Sequence, residues 1–279
     1  MKIITTMLIQ NFRKYLIEEE KSKATIEKYI RDITALMVWL DGRVSDKVTI
    51  LEYKEKLKEE YAARSTNSVI SSINSFFDFV DWRECKVKLL KIQKQIFADA
   101  SKELNADECE KLLKAARDTK NERLYCLMQT ICATGIRVSE LKFITAEALR
   151  TRQATINCKG KVRLVILPEE LCNLLRKYVK RNNIKSGCIF VTKNGKPLDR
   201  SNIWADMKRL CGRAGVPKEK VFPHNLRHLF ARTFYSVDKD IAHLADILGH
   251  SSVNTTRIYT MESCEMHRRQ IEKIHLLRC

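Results

Sequence analysis

Residues 154–166 read A-T-I-N-C-K-G-K-V-R-L-V-I, and this stretch decides the fold class of the chain. Strand-forming residues fill both ends, and Lys159-Gly160-Lys161 separates them as a turn does, so the pattern predicts a β-hairpin. Another short strand is predicted at 188–191, before a turn at 194–195. The other periodic segments repeat at helical spacing. The predicted fold class is therefore mainly α with a small β-sheet.

Upstream of the hairpin, residues 1–82 contain no proline and a single glycine, and their apolar residues recur at helical spacing. Ser22 and Ser65 stand where N-caps would begin two of the helices. Further helices are predicted near 5–20 and 47–62, which makes a four-helix domain. The two clearest apolar stripes consist of Ile26, Tyr29, Ile30, Ile33, Met37 and Leu40, and of Val69, Ile70, Ile73, Phe76, Phe77 and Val80.

Residues 83–100 are basic and lack a clear period, so they are predicted to be a linker, which either tracks a DNA backbone or is a solvated connection. Helices are then predicted near 105–117, 121–134 and 169–182, around the hairpin. The predicted organisation is thus a helical domain over 1–82, a basic linker and a mixed α+β domain over 101–279.

The net charge of +18 is spread unevenly along the chain. Residues 1–82 hold 13 Lys+Arg and 13 Asp+Glu, while residues 83–279 hold 39 and 21. Because bound Lys and Arg release the counterions condensed on a polyanion, this excess favours nucleic acid as the partner. A basic surface that serves solubility alone is the alternative. An anionic membrane is not favoured, since no amphipathic anchor or long apolar run is present.

The ten cysteines do not indicate a secreted, disulfide-bonded protein, because no signal peptide opens the chain. A reduced cytoplasmic compartment is the expectation. No C-x-x-C pair is present, so a zinc site is not expected, and the cysteines are interpreted as small packing or surface residues.

Four separate segments carry groups that suit a phosphodiester. In residues 133–141, A-T-G-I-R-V-S-E-L, a glycine turn aims Arg137 into a cleft, where its planar fork can hold two phosphate oxygens. Glu140 is placed to hold that guanidinium. The hairpin turn offers Lys159 as a proton donor to a leaving alkoxide. Each feature alone has an ordinary structural explanation, a surface ion pair or an exposed turn lysine.

The other two segments lie near the carboxyl end. In residues 224–231, H-N-L-R-H-L-F-A, the three-residue spacing of His224 and Arg227 puts both on one side of a helix. In residues 248–260 a glycine break precedes His250, and Tyr259 follows nine residues later. A tyrosine can act as a covalent nucleophile, although a single tyrosine is more often a packing residue. The joint occurrence of the four segments carries the functional prediction.

These segments closely resemble the tyrosine recombinases and integrases, nearest to the short Xer-type members. The resemblance rests on A-T-G-x-R-V-S-E-L at 133–141, K-G at 159–160, H-x-L-R-H-x-F-A at 224–231 and L-G-H-S-S-x-x-x-T-x-x-Y at 248–259, in the family's order. It extends upstream, because residues 6–81 look like the family's helical SAM-like core-binding domain. The resemblance therefore implies that residues 101–279 form the catalytic domain.

The resemblance also implies a site-specific DNA recombinase and a role for each residue. Tyr259 would be the nucleophile that forms a 3′-phosphotyrosine, Arg137 and Arg227 the clamp on the phosphate, and Lys159 the acid at the 5′-oxygen. The remaining members are His224, associated with proton transfer at the tyrosine, His250, which bonds the phosphate, and Glu140, which supports the clamp. Neither a cofactor nor a metal nor ATP would be required.

The resemblance further implies double-stranded DNA as partner and a homo-tetramer on two DNA sites, each protomer closing a two-domain clamp on the duplex. A C-terminal helix, with Met266, Ile271, Ile274 and Leu277 as packing residues, would dock onto a neighbouring protomer. Accessory proteins that bend DNA or set the direction of exchange are compatible with it. Integration or excision of a mobile element and resolution of replicons both remain open as roles.

One departure from the family pattern concerns the hairpin. It reads K-G-K-V-R, a residue shorter than the common K-G-x-K-x-R, so Lys161 is an alternative general acid to Lys159. Two other functions compete with this one. A DNA-binding factor without catalysis has no need of a tyrosine and a hairpin lysine together. A type IB topoisomerase shares the chemistry, but the helical N-terminal domain and the L-G-H-S-S motif favour recombination.

Overall fold

A computed structural model of the chain describes residues 2–92, 100–158, 161–192 and 194–259. Lys159 and the predicted C-terminal docking helix therefore lie outside the described residues. The chain divides into two compact units, Met1–Lys94 and Gln95–Cys279.

The first unit consists of four α-helices over its described residues, and one apolar core joins them. Ser22 caps the second helix as predicted, because its hydroxyl accepts a hydrogen bond from the Thr25 N–H at 3.3 Å. Both predicted stripes supply the core, with Ile33, Ile70, Ile73, Phe76 and Phe77 fully buried. The helices are α1 (Thr6–Glu18), α2 (Lys23–Leu40), α3 (Lys47–Glu60) and α4 (Ala63–Phe79).

The prediction of Ser65 as an N-cap is wrong. Helix α4 begins at Ala63, with Ala62 at the cap position, and the Ser65 N–H already donates to the Ala62 carbonyl at 2.8 Å. Thr66 is fully buried, and its hydroxyl donates to the Leu57 carbonyl of α3. Packing against α3 therefore fixes the first turn of α4 in place of a side-chain cap.

The start of the predicted linker, residues 83–92, lies against the first unit. The side-chain amides of Asn74 and Asn67 on α4 hold Val87 and Leu90 respectively. Each amide donates to the backbone carbonyl of its partner and accepts from the backbone N–H of the same residue. Cys85 is buried and its thiol donates to the Ser45 carbonyl. These contacts explain why the division between the units falls after Lys94, later than residue 82.

The second unit is built of helices around a single hairpin. A large apolar core joins α5, α6, α8 and α9 to the inner face of the hairpin. Its described helices are α5 (Ala106–Asp118), α6 (Glu122–Thr134), α7 (Ala148–Thr151), α8 (Glu169–Arg181), α9 (Arg200–Ala214), α10 (Pro223–Val237), α11 (Ile241–Leu248) and α12 (Val253–Thr256).

The hairpin consists of β1 (Gln153–Cys158) and β2 (Lys161–Ile166), which pair antiparallel from Gln153–Ile166 to Cys158–Lys161. Its inner face buries Ala154, Ile156 and Val165. The outer face of β2 is apolar but exposed, and consists of Val162, Leu164 and Ile166, with exposed fractions of 67%, 51% and 71%.

The strand predicted at 188–191 is wrong. Cys188 and Val191 form only isolated bridges, to Thr145 and Pro197 respectively. The segment does not form a regular ladder because its two ends bridge to different segments, while Ile189 and Phe190 between them are buried in the helical core. The turn at Gly195 is present, with φ of +73°.

The mainly α fold with a small β-sheet is confirmed. Among the described helices, none has the length and apolar character needed to cross a membrane.

Candidate active site

Arg137 is aimed by the end of helix α6. Gly135 ends this helix with φ of +61°, a backbone conformation that glycine adopts without steric cost. Glu140 then receives two hydrogen bonds, from the Arg137 backbone N–H and from its Nη1, both at 2.9 Å. Arg137 Nη2 also donates to the Gly249 carbonyl at 3.3 Å. The carboxylate thus holds the guanidinium while about a third of the side chain stays exposed.

Arg227 lies at the centre of the site on α10, a helix that begins with Pro223. Only 1% of its surface is exposed. Its guanidinium donates to the carbonyls of Gly135 and Leu248 and to His250 Nε2, the last at 2.9 Å. The Arg227 Nε is buried and has no partner among the described residues. One cation therefore links the ends of α6 and α11 to the histidine that follows.

His250 follows the glycine that ends α11, where Gly249 adopts φ of +63°. Because a guanidinium only donates, His250 Nε2 must accept from Arg227. His250 Nδ1 then carries the hydrogen and donates to Thr256 Oγ1 at 2.8 Å. Desolvation, followed by the charges of Arg227 and Arg137, lowers the pKa of His250 to about 4. The ring is therefore neutral at pH 7.

Tyr259 is buried, with 5% of its surface exposed, in a small cluster with Ala231, Leu244 and Leu248. Its ring stacks on His250 at 5.9 Å between centroids. Its hydroxyl lies beside the Arg227 guanidinium, and this interaction opposes the lowering of the Arg227 pKa by burial. The tyrosine predicted as nucleophile is thus placed against the arginine of another segment and the histidine of its own segment.

His224 and His228 occupy successive turns of α10. Their rings meet edge to face at 4.5 Å, and His228 meets the Tyr259 ring in the same way at 4.8 Å. Desolvation, then the charge of Arg227 among others, lowers the pKa of His224. Desolvation, then the charge of His224, lowers the pKa of His228 to about 4. Both rings therefore favour the neutral form beside the arginines.

The structure thus brings Arg137, Glu140, His224, Arg227, His250 and Tyr259 into one site, while Lys159 lies outside the described residues. Sequence reasoning missed His228, Arg163 and Thr256. The i,i+4 spacing of His224 and His228 was a usable signal for the first of these. Arg163 ends the K-G-K-V-R hairpin and Thr256 is the threonine of the 248–259 motif, but these patterns identified neither Glu140 nor His250 as their partners.

The site carries more positive than negative charge. Arg137 and Arg163 pair with the buried carboxylate of Glu140, and Arg227 lies near enough to both arginines for their charges to lower its pKa. Desolvation, followed by the charge of Arg137, lowers the pKa of Arg227 to about 10, so it stays protonated at pH 7. An anion bound here would offset that repulsion. Among the described residues, no group of three His, Cys, Asp or Glu side chains is arranged to hold a metal ion.

A tyrosine held against an arginine and two histidines, in a helical unit with one hairpin, has the groups needed to transfer a phosphoryl group through a covalent tyrosine ester. Fold and site together define the class of tyrosine recombinases, enzymes that break and rejoin DNA.

Comparison with known families agrees with this class. The phage integrase family matches residues 102–266, more than half of the chain, and the phage integrase N-terminal SAM-like domain matches residues 9–84. The chain belongs to the phage integrase family.

Relatives of known function or structure span nearly the whole chain. The tyrosine recombinase XerA of Pyrococcus furiosus is 29% identical, over 99% of this chain and 96% of its own. A crystal structure of XerA recombinase is similar with 27% identity and a TM-score of 0.54, covering 99% of this chain and 100% of that one. A lambda integrase dimer (residues 75–356) bound to a COC′ core site shares the fold, at 18% identity and a TM-score of 0.75, covering 91% and 94%.

Proposed function

We propose that this protein is a site-specific recombinase that cleaves and rejoins double-stranded DNA through a 3′-phosphotyrosine on Tyr259. The observation that carries the proposal is the contact of one buried tyrosine with Arg227, from another sequence motif, and with His250, nine residues earlier in its own motif. A packing tyrosine has no need of a buried cation at its hydroxyl. Family membership supports the same reaction.

In the cleavage step the Tyr259 oxygen attacks the phosphorus, and the bond from phosphorus to the 5′-oxygen breaks. Arg137 and Arg227 stabilise the negative charge that develops on the non-bridging oxygens, each donor being worth about 3 kcal/mol. Glu140 holds Arg137 in place, and His250 donates to the phosphate after its ring N–H gives up the bond to Thr256 Oγ1. The hairpin lysine, Lys159 or in its place Lys161, protonates the 5′-oxygen.

The tyrosine proton passes to His224, whose lowered pKa keeps its ring neutral and able to accept it. The 5′-hydroxyl of a partner strand then attacks the phosphotyrosine and releases Tyr259. Because one phosphate ester replaces another in each step, strand exchange needs no ATP.

The assembly follows from the same proposal. Residues 1–82 would bind DNA as a core-binding domain, residues 83–100 would link it to the catalytic domain over 101–279, and a tetramer would act on two DNA sites in the cytoplasm. The lambda integrase structure, a dimer on a core site, supports DNA as partner and self-association. Deletion of residues 265–279 should abolish cooperative assembly on DNA, as gel-shift titration would measure. Assembly of the truncated chain with unchanged cooperativity would remove the docking helix from the proposal.

The covalent intermediate provides the direct test of catalysis. Nicked suicide substrates from DNA flanking the gene let the 5′-hydroxyl fragment diffuse away, so a protein–DNA adduct that resists denaturation should accumulate. Tyr259→Phe should form none. Tyr235→Phe makes the same chemical change on α10, against the same small cluster, and should leave adduct formation intact. An adduct in Tyr259→Phe would overturn the proposal.

A further inference from the structure

Arg163 is a nearly buried cation that the proposed catalytic roles do not use. It lies on the inner face of β2, opposite Ile156, and only 14% of its side chain is exposed. Its strand neighbours Val162 and Leu164 are apolar and yet face outward. Turning the charged side chain inward and the apolar ones outward costs free energy unless specific partners compensate the buried charge.

The partners of Arg163 come from two other segments of the site. Its Nη2 donates to Glu140 Oε2 at 2.5 Å, and its Nη1 donates to the Ile247 carbonyl at 2.8 Å. The side chain also crosses Gly249 so closely that a Cβ there would lie 2.2 Å from Arg163 Cδ. One side chain thus ties the hairpin to Glu140 and to the end of α11, just before His250.

Glu140 is shared between Arg163 and the phosphate clamp. One of its oxygens accepts from Arg137 Nη1, and the other accepts from Arg163 Nη2 and the Arg137 backbone N–H. Desolvation opposes ionisation of this carboxyl, but the hydrogen bonds from Arg137 and Arg163 outweigh it and lower the pKa of Glu140. The carboxylate is therefore charged, and the position of β2 relative to Arg137 is set by a buried ion-pair network.

We propose that Arg163 is a positioning residue for the proton-transfer step: through Glu140 and the Ile247 carbonyl, it fixes strand β2, which begins either at the general-acid lysine or two residues after it, against the phosphate clamp. Lys161 is the first residue of β2, two positions from Arg163, and Lys159 stands just before the strand. The step concerned transfers one proton from the lysine ammonium to the 5′-oxygen as the phosphorus–oxygen bond breaks. The inference rests on the proposed recombinase function.

Leaving-group chemistry separates this role from a purely structural one. A 5′-bridging phosphorothiolate releases a thiolate, which needs no proton, whereas an ordinary phosphodiester releases an alkoxide. If Arg163 acts through the lysine, Arg163→Ala should slow single-turnover cleavage of ordinary DNA by about 100-fold, the lower range for a lost general acid. Cleavage of the phosphorothiolate by the same variant should stay within a few-fold of the wild-type rate.

Arg152→Ala is the matched control, because Arg152 precedes β1 and pairs with Glu169 at 3.4 Å where both side chains are half exposed or more. It should cleave both substrates at wild-type rates. Adding Arg163→Ala to a variant that lacks the general-acid lysine should cause little further loss. Lys159→Ala and Lys161→Ala are each combined with it, and the lysine whose removal masks the Arg163 effect is the acid.

Equal slowing of Arg163→Ala on both substrates, with a normal melting temperature, would overturn the inference. The inference would also be overturned if the rate loss of Arg163→Ala were fully additive with that of Lys159→Ala and with that of Lys161→Ala. Should Arg163→Ala fail to fold, Arg163→Lys provides the same test, because one ammonium can bond Glu140 but cannot also span to the Ile247 carbonyl. It should show a smaller defect that the phosphorothiolate still relieves, and equal slowing would again refute the role. Absence of any wild-type adduct would instead refute the proposed recombinase function.

Discussion

His228 shows, at the scale of a single residue, how a side chain outside the expected catalytic set can shape the site. Its ring stands between His224 and the Tyr259 ring, edge to face with both. Desolvation and the neighbouring charges keep it neutral at pH 7. This geometry suits a packing contact with the Tyr259 ring, while the Tyr259 hydroxyl lies beside Arg227.

Two substitutions of His228 separate packing from proton transfer. His228→Phe keeps the aromatic contact and removes both ring nitrogens, so the rate of adduct formation should stay within tenfold of wild type. His228→Ala leaves a cavity beside Tyr259 and should lower both the rate and the stability, the latter by about 2 kcal/mol. Single-turnover cleavage and thermal unfolding measure the two effects. A rate loss for His228→Phe as large as that for His228→Ala would mean that His228 transfers a proton.

At the scale of elements, the end of α6 is built around Gly135. A Cβ at this position would lie 2.4 Å from Phe230 Cδ1 of α10 and 2.9 Å from Leu248 Cδ2 of α11. The Gly135 carbonyl also accepts a hydrogen bond from Arg227. The glycine is therefore needed for the close approach of three helices as well as for its positive φ.

Gly215 offers a matched comparison for Gly135. It ends α9 with φ of +63°, nearly the same as Gly135, but nothing lies within 4 Å of a Cβ built there. Gly215→Ala should cost about 1 kcal/mol of unfolding free energy, from the backbone conformation alone. Gly135→Ala should cost roughly 3 kcal/mol, because overpacking is added. Equal losses in denaturant unfolding would show that the contacts with Phe230 and Leu248 do not constrain this turn.

At the scale of the whole molecule, every histidine of the chain belongs to the second unit. The pKa values of His228 and His250 both fall from 6.5 to about 4 on folding. A histidine with a lowered pKa stabilises the fold fully above its unfolded pKa, and this stabilisation is lost as the pH falls toward the folded pKa.

The second unit should therefore lose stability between pH 6.5 and pH 4, by about 2 kcal/mol for each of the two histidines at pH 5. Denaturant unfolding of the full chain at a series of pH values measures this loss. A double variant, His228→Phe with His250→Gln, should flatten the pH dependence of stability in that window, because both titrating rings are removed. Some dependence should remain, because carboxylates continue to titrate in both proteins. An unchanged slope would show that these rings are not kept neutral by the fold.

The sequence by itself determined most of the helices, the hairpin and, among the residues that meet around Tyr259, Arg227 and His250 but not His228. Helix periods and glycine stops are local, and the four motifs identified the site residues through their resemblance to a family. Only the tertiary structure decided that Arg163 faces inward while Val162, Leu164 and Ile166 face solvent, against the hydrophobic alternation of β2. The physical reason is that a buried cation needs a counterion, and Glu140, which supplies it, lies 23 residues away in sequence.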